Sequence, residues 1–163
     1  MNAVTAIRTA LHSSHHMLTW FVGDLSDADL LVRPTPGANH IAWQLGHLIL
    51  AEGGIGAELP GVVYPALPAG FADQHGKDTA QAEPPIGFLS RTQYVDLFTA
   101  ARNASLAALD KMTEADLDCP TQGKLAAFAP NLGALLLLIS NHTLMHAGQF
   151  SVVRRKLGKP VLF

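Results

Sequence analysis

The sequence holds one cysteine, Cys119, so no intramolecular disulfide can form; ahead of Pro120 it reads as an ordinary thiol in a loop. Charge is scarce. Asp, Glu, Lys and Arg make up 15% of the chain, and the formal net charge is −2. This excludes the basic footprint of a nucleic-acid binder. The one basic cluster, Arg154, Arg155, Lys156 and Lys159, reads as solvating the end of the last helix and complementing its dipole. Long apolar runs are missing too: the longest, residues 132–140, is too short to span a bilayer. The first residues lack the basic-then-apolar pattern of a signal peptide, because polar His and Ser interrupt it early. The expectation is a soluble cytoplasmic protein with neither a nucleic-acid nor a membrane partner.

What is present is apolar side chain. Hydrophobic residues form 48% of the 163, enough for a real core and too many for a disordered chain. The length suits one domain, residues 1–163. So few charges leave apolar surface to be buried against a second copy, which suggests a homodimer.

No segment carries a convincing strand pattern, and helical periodicity dominates. Val4, Ile7, Leu11, Met17 or Leu18, and Phe21 predict a first helix over about residues 2–23. A connector with a capped turn, Ser26-Asp27-Ala28-Asp29, follows, and Pro34, Pro36 and Gly37 break the chain. Asn39 is the expected N-cap of a second helix carrying Ile41, Leu45, Leu48 and Ile49. That helix ends among Gly53, Gly54 and Gly56, or just before Pro60.

Residues 61–87 are Pro-rich and show no amphipathic pattern. Their length suits a crossover connection or a functional flap. Ser90 and Gln93 form a capping box for a third helix reaching about Met112. After Pro120, Gly123 and Pro130, a fourth helix runs over about 131–157 and stops at Gly158 and Pro160. A weak repeat links the halves: Leu25-Ser26-Asp27-Ala28-Asp29-Leu30 matches Met112-Thr113-Glu114-Ala115-Asp116-Leu117. Two helical hairpins packing as an all-α four-helix bundle are the expected architecture.

Eight histidines are many for this length. His142 and His146 stand four apart on the last helix, so both imidazoles share a face and two nitrogens could reach one metal ion. Leu135, Leu138, Ile139, Gln149 and Val153 share or flank that face, which therefore points inward. Buried imidazoles without partners are costly, and a metal resolves the cost. The alternative is two half-buried histidines bonded to carbonyls or water. The zincin motif is excluded, because Thr143 stands where that motif needs Glu.

His47, within Trp43-Gln44-Leu45-Gly46-His47-Leu48, is either a third ligand or a core histidine bonded to a carbonyl. Gly46 beside it leaves room for a close approach. His40, at the helix start, reads as exposed. Of His15 and His16, one faces the bundle centre and lines the site; His12 and His75 are secondary.

Ile41-Ala42-Trp43-Gln44-Leu45-Gly46-His47-Leu48 together with Asn141-His142-Thr143-Leu144-Met145-His146-Ala147-Gly148-Gln149 resembles the DinB/YfiT-like superfamily. The resemblance covers nearly the whole chain. It implies a four-helix bundle with a long crossover between helices two and three, often a homodimer. It also implies a divalent metal, Zn²⁺ or Ni²⁺, held by His47, His142 and His146. Three protein ligands leave open positions for water or substrate. Gln149 and Gln44 are candidates to bond the ligands, and His16 and His15 to line the pocket. No carboxylate stands at ligand spacing, and Glu52 points elsewhere.

The implied activity is metal-dependent chemistry on a small-molecule substrate. It is either hydrolysis, or transfer or isomerisation that uses a low-molecular-weight thiol such as mycothiol or bacillithiol. Two other readings stand beside it: a non-catalytic metal- or ligand-binding bundle, and histidines that are merely satisfied core residues.

Overall fold

The computed structural model describes residues 1–162. In chain order the helices are α1 (Ala3–Val22), α2 (Ile41–Gly56), α3 (Phe71–Gln74), α4 (Arg91–Leu109), α5 (Glu114–Leu117) and α6 (Leu132–Lys156). The long four, α1, α2, α4 and α6, form a four-helix bundle, and residues 57–90 cross over between α2 and α4. No strand occurs among the described residues. No helix among them is long and apolar enough to cross a membrane.

Local chemistry explains most of the ends. The Asn2 side chain accepts from the Thr5 amide, and Asn131 accepts from the Ala134 amide at 2.9 Å. Ser90 and Gln93 form the expected capping box. The start of α2 differs. His40 is its N-cap, with Nδ1 accepting from the Trp43 amide at 3.1 Å. The ring is 1% exposed and packs edge-on against Phe88, so the expectation of an exposed His40 is corrected. Asn39 is not the cap because it is used elsewhere: its side chain accepts from Gln81 of the crossover and its carbonyl from Gln44.

The repeated motif builds the same device twice. Ser26 and Asp29 exchange side chain-to-amide bonds, as do Thr113 and Asp116, and each turn buries its last leucine, Leu30 or Leu117. The hairpin expectation is corrected. Around the bundle the order is α1, α6, α2, α4, so helices joined by a connector lie diagonally opposite and not side by side. Connectors of this length can cover the end of the bundle, and these do so by burying Leu25 and Leu30, or Leu117 and Ala129.

Arg154 is a further correction. It does not solvate the helix end but is 2% exposed, donating to the Phe21 carbonyl at 2.8 Å and to the Asp24 carboxylate. The arginine ties α6 to the end of α1.

The crossover is pinned by two side chains that fill places left by glycines. The Tyr64 hydroxyl occupies the space of a Cβ at Gly56, only 1.8 Å from where that atom would stand, and bonds Ser105 of α4 at 2.9 Å. The His75 ring lies 2.0 Å from the Cβ position of Gly46. Its Nδ1 donates to the Phe71 carbonyl at 2.8 Å, and its Nε2 accepts from the Tyr94 hydroxyl at 2.7 Å.

The core falls into two apolar clusters. One is built on Leu18, Phe21, Leu45, Phe98 and Phe150, the other on Leu11, Leu106, Leu109, Leu135 and Ile139. Between them runs a buried polar layer drawn from all four long helices: Ser14, Glu52, Arg102, Ser105 and Thr143. Arg102 grips Glu52 with two bonds, Nε to Oε1 at 2.8 Å and Nη2 to Oε2 at 3.1 Å. Its remaining donors go to Ser14, the Leu11 carbonyl and Thr143. Ser105 donates to Glu52 at 2.8 Å. No buried side-chain polar atom among the described residues lacks a partner, as a layer this deep requires.

Candidate metal centre

α2 and α6 are neighbours in the bundle, and their facing sides bring His47, His142 and His146 together. One nitrogen from each ring lies within 4.8 Å of the other two. His146 is 6% exposed, while His47 and His142 are half-buried at the bundle edge. The cluster therefore has a closed inner side and an open outer one.

A chain of hydrogen bonds fixes the inner ring. The Gln44 amide nitrogen donates to the Asn39 carbonyl at 2.9 Å, which turns Oε1 of Gln44 toward α6. That oxygen accepts from Nδ1 of His146 at 2.8 Å. With its proton on Nδ1, His146 presents a bare lone pair at Nε2. Nε2 of His142 stands 3.2 Å away and donates to it when no cation lies between. Two nitrogens in a tetrahedral zinc shell, with bonds of about 2.0–2.1 Å, stand about 3.3–3.4 Å apart, so the pair already has the spacing of two ligands. His47 is oriented differently, by stacking on Trp43 at 5.1 Å and an interplanar angle of 6°. Trp43 is anchored in turn by its indole N–H, which donates to the Gly76 carbonyl at 3.2 Å.

Electrostatics keep the rings neutral, which is the ligand form. Burial pushes His146 down to about 3, with the neighbouring His142 and His47 adding to it. Burial also lowers His47, helped by the charge of Lys77, and lowers His142, helped by His47. Away from the cluster, burial and then Arg33 bring His40 down to about 4.

These shifts carry a pH dependence for the metal-free protein. Unfolding releases His146 and His40 to take up protons near pH 6.5, which the folded state refuses until about 3 and about 4. Their contribution to stability is complete above pH 6.5 and is lost as the pH falls, by about 1.4 kcal/mol per unit for each histidine. Urea midpoints of metal-free protein should fall steadily from pH 7 to 5; a flat profile would show that these rings titrate normally.

Four sequence candidates were expected around the ligands. Gln44 makes the bond just described. Gln149 is exposed and makes no hydrogen bond to the histidines; it lines a surface hollow with Pro34, Asn39 and Gln44. His15 and His16 do not reach the cluster, and the expectation that one would line it is corrected. His15 bonds Thr99 of α4 at 2.9 Å and stacks on Phe98, and His16 is exposed beside Trp20. The cause is topological: α1 lies diagonally across from α2, so its inward face meets α4 and α6.

Sequence reasoning missed the buried His75 and the Glu52–Arg102 pair. The signal for the pair was a lone arginine in the alanine-rich stretch Ala100-Ala101-Arg102-Asn103-Ala104 opposite a lone acid in the apolar α2. Thr143, the residue that excludes the zincin motif, belongs to this layer: it accepts from Arg102 at 3.0 Å and donates to the Ile139 carbonyl.

Comparison with known proteins agrees with this architecture. A conserved protein from Enterococcus faecalis superposes with a TM-score of 0.68 at 16% identity, covering 98% of this chain and 99% of that one. YfiT from Bacillus subtilis, described as a probable metal-dependent hydrolase with an unusual four-helix bundle topology, gives a TM-score of 0.68 at 15% identity, with coverages of 96% and 89%. No curated protein matches the sequence significantly. Residues 10–150 match the family pattern of the DinB superfamily. With most of its length matched, and with the fold those solved structures share, the chain belongs to the DinB superfamily.

Proposed function

We propose that His47, His142 and His146 hold one divalent ion, Zn²⁺ or Ni²⁺, and that the protein is a metal-dependent enzyme acting on a small molecule. The observation that carries this reading is the convergence of three imidazole nitrogens within 4.8 Å, the buried one aimed by Gln44. Such an ion supplies Lewis-acid chemistry, lowering the pKa of a water or thiol that it binds. Around it the protein's own groups have distinct tasks. Gln44 sets the tautomer of His146, Trp43 sets the plane of His47, and the apolar cluster beneath excludes water from the inner side. The description of YfiT as a probable metal-dependent hydrolase favours hydrolysis; a thiol-dependent transferase or isomerase uses the same open positions.

A second reading, a non-catalytic metal- or ligand-binding bundle, is favoured by one observation. Among the described residues no Asp or Glu joins the cluster to serve as a general base. The assay that separates the three uses metal-loaded protein with a panel of esters and amides, with and without a low-molecular-weight thiol. Hydrolysis needs metal alone, transfer is silent until thiol is added, and a binding protein shows saturable binding without turnover.

Gln44→Ala should weaken metal binding about 10- to 100-fold, because His146 loses the bond that fixes its ring and tautomer. Competition against a chromophoric chelator measures this; an unchanged affinity would show that Gln44 does not set the ligand.

The exposed Leu137, Leu144, Met145 and Val152 on α6 support a homodimer. The exposed, unpaired Cys119 suits the reducing cytoplasm.

A further inference from the structure

The crossover brings Lys77 into the neighbourhood of the histidine cluster. Lys77 opens the 3₁₀ turn Lys77–Thr79 directly after Gly76, the residue whose carbonyl receives the Trp43 indole that stacks on His47. The turn is locked on both sides. Thr79 donates its hydroxyl among the carbonyls of Asp73, Gln74 and Gly76, and His75 is bonded through both ring nitrogens. The backbone of Lys77 is thus fixed next to the Trp43 indole that stacks on His47, while its side chain is exposed. It forms no ion pair among the described residues.

Three neutral imidazoles leave the charge of a divalent ion uncompensated, and among the described residues no carboxylate joins the cluster to answer it. Lys77 adds positive charge on the crossover segment that holds Trp43. We propose that this site selects small substrates bearing a carboxylate, which Lys77 receives while another group of the same molecule enters the open metal position. One flexible ammonium matches one carboxylate. A phosphate dianion would call for further donors, and the Thr79 hydroxyl is turned inward. The inference rests on the metal reading above and adds the substrate class to it.

The test compares two hydroxamates with the same metal-binding head, acetohydroxamate and the monohydroxamate of succinate, titrated calorimetrically into zinc-loaded wild type and Lys77→Gln. Wild type should prefer the carboxylate-bearing compound by about fivefold, the scale of an exposed charge pair. Lys77→Gln should lose that preference and bind acetohydroxamate as wild type does. A preference that survives in Lys77→Gln, no preference in wild type, or binding of neither compound to zinc-loaded protein overturns the proposal while the metal site stands. Failure of the wild type to take up zinc, seen before any hydroxamate is added, overturns the metal reading and the proposal with it.

Discussion

His142→Ala should abolish tight metal binding and leave the helices intact. The side chain is half-buried at the open edge of the cluster, outside both apolar clusters, and caps no helix. Its removal therefore leaves both apolar clusters unchanged, costs His146 one hydrogen bond, and takes away one of three ligands. Loss of a residue that only orients a ligand costs up to about 100-fold in affinity, so loss of a ligand costs at least that. Far-UV circular dichroism of the metal-free variant should match wild type and its urea midpoint should fall only slightly, since Nε2 of His146 loses its His142 donor, while chelator competition shows the lost affinity. His146→Ala would be less clean. That ring is 6% exposed, and its loss strands the Gln44 oxygen in the interior. If His142→Ala binds zinc as wild type does, the ligand assignment is wrong.

The largest loss of stability is expected from Arg102→Leu. The guanidinium is 1% exposed, and it bonds groups from α1, α2 and α6. Without it, Glu52 is left as a buried charge with, among the described residues, only Ser105 donating to it. Breaking one side of a buried pair costs about 3–5 kcal/mol, because the penalty is the stranded charge more than the lost attraction. The double variant Glu52→Leu/Arg102→Leu should recover much of that loss, since no charge remains to be solvated. Urea denaturation measures both. A loss under about 1 kcal/mol in the single variant would mean that water reaches Glu52 and that the layer is not sealed.

How much of this was legible in the sequence follows from the range over which each feature is decided. The long helices, the Ser90–Gln93 box and the turns at Ser26 and Thr113 are settled within a few residues, so pattern and capping chemistry find them. The pairing of His142 with His146 is likewise local, one helical turn. Which helices become neighbours is not local. A connector of given length permits an adjacent or a diagonal partner, and the diagonal arrangement is what carried His15 and His16 away from the cluster. His47 shares no sequence neighbourhood with the other two rings, and only the resemblance joined it to them. His40 and His75 were hidden for a related reason: a loop histidine becomes a buried one only when a distant group, Phe88 for one and Gly46 with Tyr94 for the other, offers it a place. Arg154 shows the same limit, since nothing beside it in sequence reveals that Asp24 and the Phe21 carbonyl await it.

The central claim is that three histidines on α2 and α6 form a site for one divalent ion. The most direct test is the metal content of purified, untagged protein, with thermal unfolding before and after zinc or nickel is added. The account predicts about one equivalent of metal per chain after loading, and a higher midpoint with metal, because an ion that binds only the folded state must stabilise it. Less than about a tenth of an equivalent, with no shift of the midpoint on adding either ion, would contradict it and leave the three rings as satisfied core histidines.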